Sequence, residues 1–318
     1  MSHRIERPAT AAKAPQAIRQ PLDARAAGLM LGFCLVIGLQ QVAIKSVADA
    51  VSPLAQIGIR SLVAVLLIAA IARWRGIALW VPEQFGPGLI VGIGYTLEFA
   101  FVALGLNYTY AAHMSVFLYT APVFAAVGLH LFVPGEQLAL RHWAGVALAF
   151  AGLVIALAPS AHVSSQVLLG DALGVAAGAS WAGTTLALRT SSLSEAPPLR
   201  TIAYQLVVAS VLLLPTAAVL GDLGSIHMTA LAWASLSFQS VVVSVAALLV
   251  WFWLLRRYLA SRLGVFAFLS PIFGVGFGVV LMGDPISINF ALGGLAILAG
   301  LLLVNSRGRR REHNTGSK

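Results

Sequence analysis

The chain has 318 residues, 59% hydrophobic and 10% charged, with a mean hydropathy of +0.90. Soluble domains carry about 25% charged residues, so a water-soluble fold this apolar would have no surface to offer, and the sequence reads as a polytopic membrane protein. The net charge of +9 raises nucleic acid as a partner, but its placement along the chain argues against that, and the single cysteine, Cys34, excludes an intrachain disulfide.

In chain order, residues 1–26 are polar and basic, with Pro8, Pro15 and Pro21, and read as a disordered cytoplasmic tail. A cleaved signal peptide fits poorly: the basic segment is long, and the next apolar run passes Gln40 and Gln41 without a small-residue cleavage site. A helix needs about 20 mainly apolar residues to span a bilayer. Ten stretches qualify as spans: 27–47, 53–72, 87–106, 109–132, 141–158, 168–188, 200–220, 229–254, 261–282 and 287–305. Residues 306–318, with Arg307 and Arg309 to Arg311, form a second basic cytoplasmic tail.

The stretch from Tyr108 to Leu157 returns near the C-terminus. Tyr108, Phe117 and Pro122 reappear as Tyr258, Phe266 and Pro271, and after one deleted residue Glu136, Gly145 and Ala151 fall on Asp284, Gly293 and Ala299. Each copy is a helix with a mid-span proline, a turn with one carboxylate, and a glycine-studded helix. Proline-interrupted hydrophobic segments in corresponding places of two halves point to a secondary transporter. Five helices per half make the second half enter the membrane the opposite way round. The expected fold is all-α, ten transmembrane helices as two inverted five-helix repeats, 27–158 and 168–305.

Charge placement tests that count. With the N-terminus in the cytoplasm, 18 of the 20 Lys and Arg lie on the cytoplasmic side and none in the opposite loops; Lys45 and Arg60 lie within spans. The basicity is topological, which leaves nucleic acid without support as a partner.

Spans five and ten carry small residues one turn apart, Gly145, Ala149 and Gly152, then Gly293, Ala296 and Gly300. Such faces let helices pack closely in lipid, against protein or a second copy of the chain. Spans one, three, four, six, eight and nine carry the polar and aromatic residues and are expected to surround an interior space. Glu98 sits ~15 Å of helix rise from the cytoplasmic end, near the midplane. It reads as a proton carrier or a binder of a substrate amine, or as a fixed ion pair. Arg60 either binds a carboxylate or phosphate or pairs with Glu98. Lys45 snorkels to the headgroups or guards a cavity mouth, with Gln41 one turn before it. Tyr95, Tyr119 and Trp181 offer stacking surfaces, Gln239 a polar wall, and His113 a lone ring near a span end. Pro122 and Pro271 each remove a backbone bond and are the candidate hinges. Glu136 and Asp284 read as turn residues past those helices. No metalloprotease, nucleotide-cradling or serine-elbow motif occurs, so no enzyme, metal or cofactor is expected, and ATP hydrolysis by the chain itself is not available as a power source.

Gln40 to Lys45, Ser52-Pro53-Leu54 and Arg60 in the first hairpin, with Pro122, Glu136, Gly145 and Ala151-Gly152 and their echo Ser270-Pro271, Asp284, Gly293 and Ala299-Gly300, resemble the EamA-type members of the drug/metabolite transporter superfamily. The resemblance covers about residues 27–305. It implies both termini in the cytoplasm, a bacterial-type inner membrane, and alternating access around a central cavity. It also implies export of a small molecule such as an amino acid, drug or nucleobase; the candidate coupling ion, a proton, follows from Glu98 instead. A sugar-phosphate or nucleotide-sugar exchanger of the same superfamily, or a non-transporting membrane protein, stands as the alternative. Gln205 stands in the second unit where Arg60 stands in the first.

Overall fold

The computed structural model describes residues 23–133, 137–158, 164–258 and 267–304. Residues 1–22 and 306–318 of the expected tails, and Glu136, lie outside the described residues; Ala24 to Ala26, expected in the first tail, instead form the start of a helix. Among the described residues the fold is helical, with no sheet.

The local reasons for the helix starts are legible. Asp23 accepts the Ala26 N–H at 2.7 Å and opens α1 (Ala24–Lys45). Ser52 caps α2 (Pro53–Trp74), whose proline sits where no donor is needed. Then come α3 (Pro82–Leu106), α4 (Ala111–Leu118), α5 (Ala121–Phe132), α6 (Leu140–Ala156) and α7 (Ser165–Arg189). They are followed by α8 (Pro198–Val219), α9 (Ala230–Ser237), α10 (Leu248–Arg257), α11 (Leu269–Phe277) and α12 (Ile288–Val304). A π-helical stretch, Phe238–Ala247, joins α9 to α10, and another, Gly278–Met282, extends α11.

Six helical stretches are long and apolar enough to cross a membrane: Ala24–Lys45, Pro53–Trp74, Pro82–Leu106, Ala111–Phe132, Pro198–Val219 and Ala230–Trp251. Leu140–Ala156, Leu269–Met282 and Ile288–Val304 are shorter apolar helices. The expected span 168–188 falls in α7, a 25-residue helix outside the apolar six, with Gln166, Asp171, Ser180, Thr184 and Thr185 along it. The surface reverses the order of a soluble protein. Leu66, Ile90, Val154, Val211, Val280 and Leu295 point outward, whereas Gln41, Gln56, Arg60, Glu98, Asp171 and Gln239 are buried. Lipid is the solvent for which that arrangement is stable.

Two packing features set the framework. The small faces of α6 and α12 meet each other. A Cβ on Gly145 would come within 2.7 Å of the Gly300 carbonyl, and one on Gly152 within 2.7 Å of the Gly293 carbonyl. Since 145 meets 300 and 152 meets 293, the helices run antiparallel with backbones in contact. Those faces are used within the chain, so the expectation of a second copy gains nothing from them.

The second feature is at the prolines. The span expected at 109–132 is interrupted at Tyr119 and Thr120, whose amides bond three residues back, to Val116 and Phe117, both at 3.1 Å. Pro122 has no N–H and its ring crowds the carbonyl four residues earlier, which explains the break. Gly178 of α7 lies against it: a Cβ there would stand 2.6 Å from the Thr120 hydroxyl and 3.0 Å from the Leu118 carbonyl. At the other proline, Gly38 of α1 lies against α11, where a Cβ would stand 2.9 Å from the Ser270 carbonyl.

Candidate functional site

Two charged clusters lie inside the bundle. The first is mid-span. α3 presents Tyr95, Glu98 and Phe99 on one face, three and four residues apart, toward Arg60 of α2. The Arg60 guanidinium lies 4.3 Å above the Phe99 ring, and Tyr95 tilts onto the same ring at 4.7 Å and 52°. Arg60 is 1% exposed and Glu98 7%. Glu98 and the Tyr95 hydroxyl are in electrostatic reach of Arg60. No Arg60–carboxylate pair within 4.0 Å occurs among the described residues, however, so the expected direct ion pair with Glu98 is not formed. Arg60 Nε and Nη1 have no hydrogen-bond partner. A buried donor left unmet costs about 1–3 kcal/mol, more when charged.

Tyr119, at the break between α4 and α5, joins this neighbourhood. Its ring meets Trp181 of α7 edge-on, 5.7 Å apart at 90°, and its hydroxyl faces Ser270 of α11 and feels Glu98. Arg60, Tyr95, Glu98, Tyr119 and Trp181 therefore form one connected group. Gln239 and Gln41 have no described contact with it. Gln239 Nε2 donates to Gln56 Oε1 at 2.8 Å and Ser235 Oγ at 3.0 Å. Gln56 Nε2 in turn donates to the Ile44 and Val51 carbonyls, at 2.9 and 2.8 Å, pinning the turn after α1. The amide nitrogen of Gln239 is thus engaged in holding helices together. Gln41 is buried on α1, and the amide oxygens of both glutamines are unmet. Pro122 and Pro271 sit in the first turns of α5 and α11.

The second cluster lies at the Lys45 end of the bundle, and sequence reasoning missed its centre. Asp171 of α7 is buried and accepts from both sides: His113 Nδ1 lies 3.0 Å from Oδ1 and 2.9 Å from Oδ2, and the Thr109 hydroxyl donates to Oδ1. The His113 ring stacks on Phe290 of α12, 4.0 Å away at 11°. Lys45 donates to the Leu106 carbonyl at 2.8 Å and to the Thr109 carbonyl. Its ammonium is thus held by protein carbonyls at the end of α3 and in the turn that follows it. Asp284 Oδ2 accepts the Ala112 N–H at 2.8 Å, so this residue ties the α11–α12 turn to the start of α4. Burial pushes the Asp284 carboxyl up, against the Ala112 amide, Lys45 and His113, which pull it down.

The sequence signal for Asp171 was available. It and His113 both fall near the same end of their expected spans, but their pairing is tertiary and no spacing reports it. At the opposite end, Tyr258 donates to Asp23 at 3.0 Å, and the Arg25 and Arg257 guanidiniums lie 5.5 and 4.5 Å from the Trp253 ring centre. Among the described residues no group of three or more His, Cys, Asp or Glu side chains converges to hold a metal.

Comparison with known proteins places this architecture. The EamA-like transporter family matches residues 24–158 and 168–306. An uncharacterized transporter of Archaeoglobus fulgidus is 30% identical over 67% of this chain and 73% of its own length. The uncharacterized transporter YvbV of Bacillus subtilis is 28% identical over 89% and 93%. A probable amino-acid metabolite efflux pump of Escherichia coli is 28% identical over 86% and 93%. A crystal structure superposes with a TM-score of 0.60 at 20% identity, over 88% of this chain and 97% of the other, a likeness of fold alone. With a multi-pass helical bundle, a buried polar interior and these matches together, the chain belongs to the EamA-like transporter family, among the drug/metabolite transporters.

Proposed function

We propose that this transporter is a secondary active exporter of small metabolites working by alternating access. It crosses the inner membrane ten times as two inverted five-helix units, with both termini in the cytoplasm. The observation that carries the reading is the α6–α12 seam. Gly145 and Gly293 are equivalent in the repeat, as are Gly152 and Gly300, and each meets the other's equivalent in an antiparallel pair. Two copies related by an axis in the membrane plane would make that contact. The Lys45 end then faces outward. Its cluster joins Thr109, Ala112 and His113 of the first unit to Asp171 and Asp284 of the second, as an outer lock would.

The mid-span group is the substrate site in this reading, with Glu98 recognising an amine or carrying the coupling proton. Tyr95, Tyr119, Trp181, Gln41 and Gln239 line the path. Pro122 and Pro271 are the bending points. The relative named as an amino-acid metabolite efflux pump supports export of an amino-acid-like compound. A sugar-phosphate exchanger needs several free cations mid-span. Lys45 is engaged with carbonyls, which leaves Arg60 as the buried cation with free donors among the described residues.

The test is Glu98→Gln in proteoliposomes with an imposed pH gradient. Loss of gradient-driven flux or of amine selectivity is expected; flux and selectivity equal to wild type remove Glu98 from both roles. Pro122→Ala and Pro271→Ala are expected to slow turnover more than they weaken binding, and unchanged turnover in both rejects the hinges.

A further inference from the structure

Cations gathered at a membrane surface repel one another unless an anion sits among them. At the end of the bundle opposite Lys45, Arg25 of α1 and Arg257 of α10 lie 5.5 and 4.5 Å from the centre of one ring, Trp253. Those distances put the two guanidiniums within about 10 Å of each other, a separation that ordinary salt screens incompletely. Both arginines are exposed, and among the described residues neither has a carboxylate within 4.0 Å. Asp23 is in electrostatic reach of Arg25, but both its oxygens are taken, Oδ1 by the Ala26 N–H at 2.7 Å and Oδ2 by the Tyr258 hydroxyl at 3.0 Å. Arg200, by contrast, spends its donors on the Ala78 carbonyl and Gln84 Oε1, both at 2.8 Å. A guanidinium resting on a ring keeps its planar fork of N–H donors, which matches phosphate oxygens. Further along the same seam Trp251 stacks on Phe33, 5.2 Å apart at 19°, and Leu31 and Leu35 of α1 point outward. Two cations without a contacting anion thus stand on an interfacial tryptophan, above an apolar wall.

We propose that Arg25 and Arg257, steadied by Trp253, hold the phosphodiester of an anionic phospholipid whose chains run along Leu31, Leu35 and the Phe33–Trp251 stack. A lipid supplies both halves of what the site asks for, a phosphate at the water boundary and a chain below it. A zwitterionic lipid has the same phosphate, but its own cation sits beside it and is repelled by the two guanidiniums, so the net charge of the headgroup decides. α1 lies in the first matched unit and α10 in the second. The headgroup therefore ties the two units together at the end where Tyr258 already donates to Asp23. The site needs only the chain's place in a membrane and is independent of what is transported.

The test is native mass spectrometry of the full chain in detergent, titrated with phosphatidylglycerol or phosphatidylcholine of matched chains. Phosphatidylglycerol is expected to be retained about tenfold or more tightly. The double variant Arg25→Gln with Arg257→Gln is expected to lose that preference, and each single variant to lose part of it. Arg73→Gln with Arg75→Gln removes the same charge from exposed positions at the same end and is expected to keep it. Thermal unfolding without lipid establishes that each variant is folded; with phosphatidylglycerol the midpoint is expected to rise for wild type and the Arg73/Arg75 control but not for the Arg25/Arg257 double variant. An equal loss in both double variants reduces the binding to general surface charge and overturns the site. Equal retention of the two lipids overturns it as well. Displacement of the lipid by glycerol phosphate or inorganic phosphate overturns the lipid assignment and leaves a site for a soluble anion.

Discussion

The Lys45 end and the mid-span hold similar side chains in opposite conditions. At the Lys45 end the charges are matched: Asp171 by His113 and Thr109, Lys45 by two carbonyls, Asp284 by the Ala112 amide. Mid-span, Arg60 is as deeply buried and keeps unmet donors, with Glu98 held off. A matched buried charge supports its neighbours, and removing it strands them. An unmatched one opposes stability and persists where something outside the fold completes it.

The comparison breaks first at Asp171. Asp171→Ala strands His113 and the Thr109 hydroxyl, and breaking a buried pair of this kind costs about 3–5 kcal/mol. Thermal unfolding in detergent measures it, and a loss under about 1 kcal/mol would make the Lys45-end cluster incidental. The seam comes next. Gly152→Val forces side-chain atoms into the Gly293 carbonyl and is expected to cost about 1–3 kcal/mol, whereas Gly28→Ala, with nothing within 4 Å of the new Cβ, serves as the neutral control.

Arg60→Leu sharpens the contrast. It is expected to leave stability within about 1 kcal/mol of wild type, or to raise it, while flux collapses, because an unmet buried charge is replaced by a packed apolar group. A loss comparable with that of Asp171→Ala would instead make Arg60 a structural residue. The smallest effect belongs to Asp23. The Ala26 N–H holds its carboxyl below the usual carboxylate range, so its contribution is complete above about pH 4 and fades as acid protonates it. Asp23→Asn is expected to flatten the acid limb of the unfolding curve and leave the neutral region unchanged.

Helix positions were legible because a bilayer demands long apolar runs and punishes polar breaks. The expected 53–72 is Pro53–Trp74, and 87–106 lies inside Pro82–Leu106, which begins earlier because a proline in the second turn did not stop the helix. Mid-span candidates were legible for the same reason: an acid or a guanidinium stands out against leucine. What escaped was pairing. Glu98 looked like the one deep carboxylate because Asp171 lay at a predicted span edge, and only the fold brings α7 beside α4. The π stretch at Phe238–Ala247 carries no proline or glycine to announce it. Gln239, read as a cavity wall, is engaged through a glutamine on α2, and no spacing along the chain pairs the two.

Gly178 and Gly38 reach across the chain. The opening helix of 164–304 seats the interruption at Tyr119 and Thr120, and the opening helix of 24–158 seats the start of α11. Neither stretch encloses its own discontinuity. Each lends an arm and borrows one, as exchanged-arm dimers do between separate molecules. Two half-length polypeptides made together should therefore find and complete each other, while either one made alone would leave a gap in its wall that lipid cannot fill.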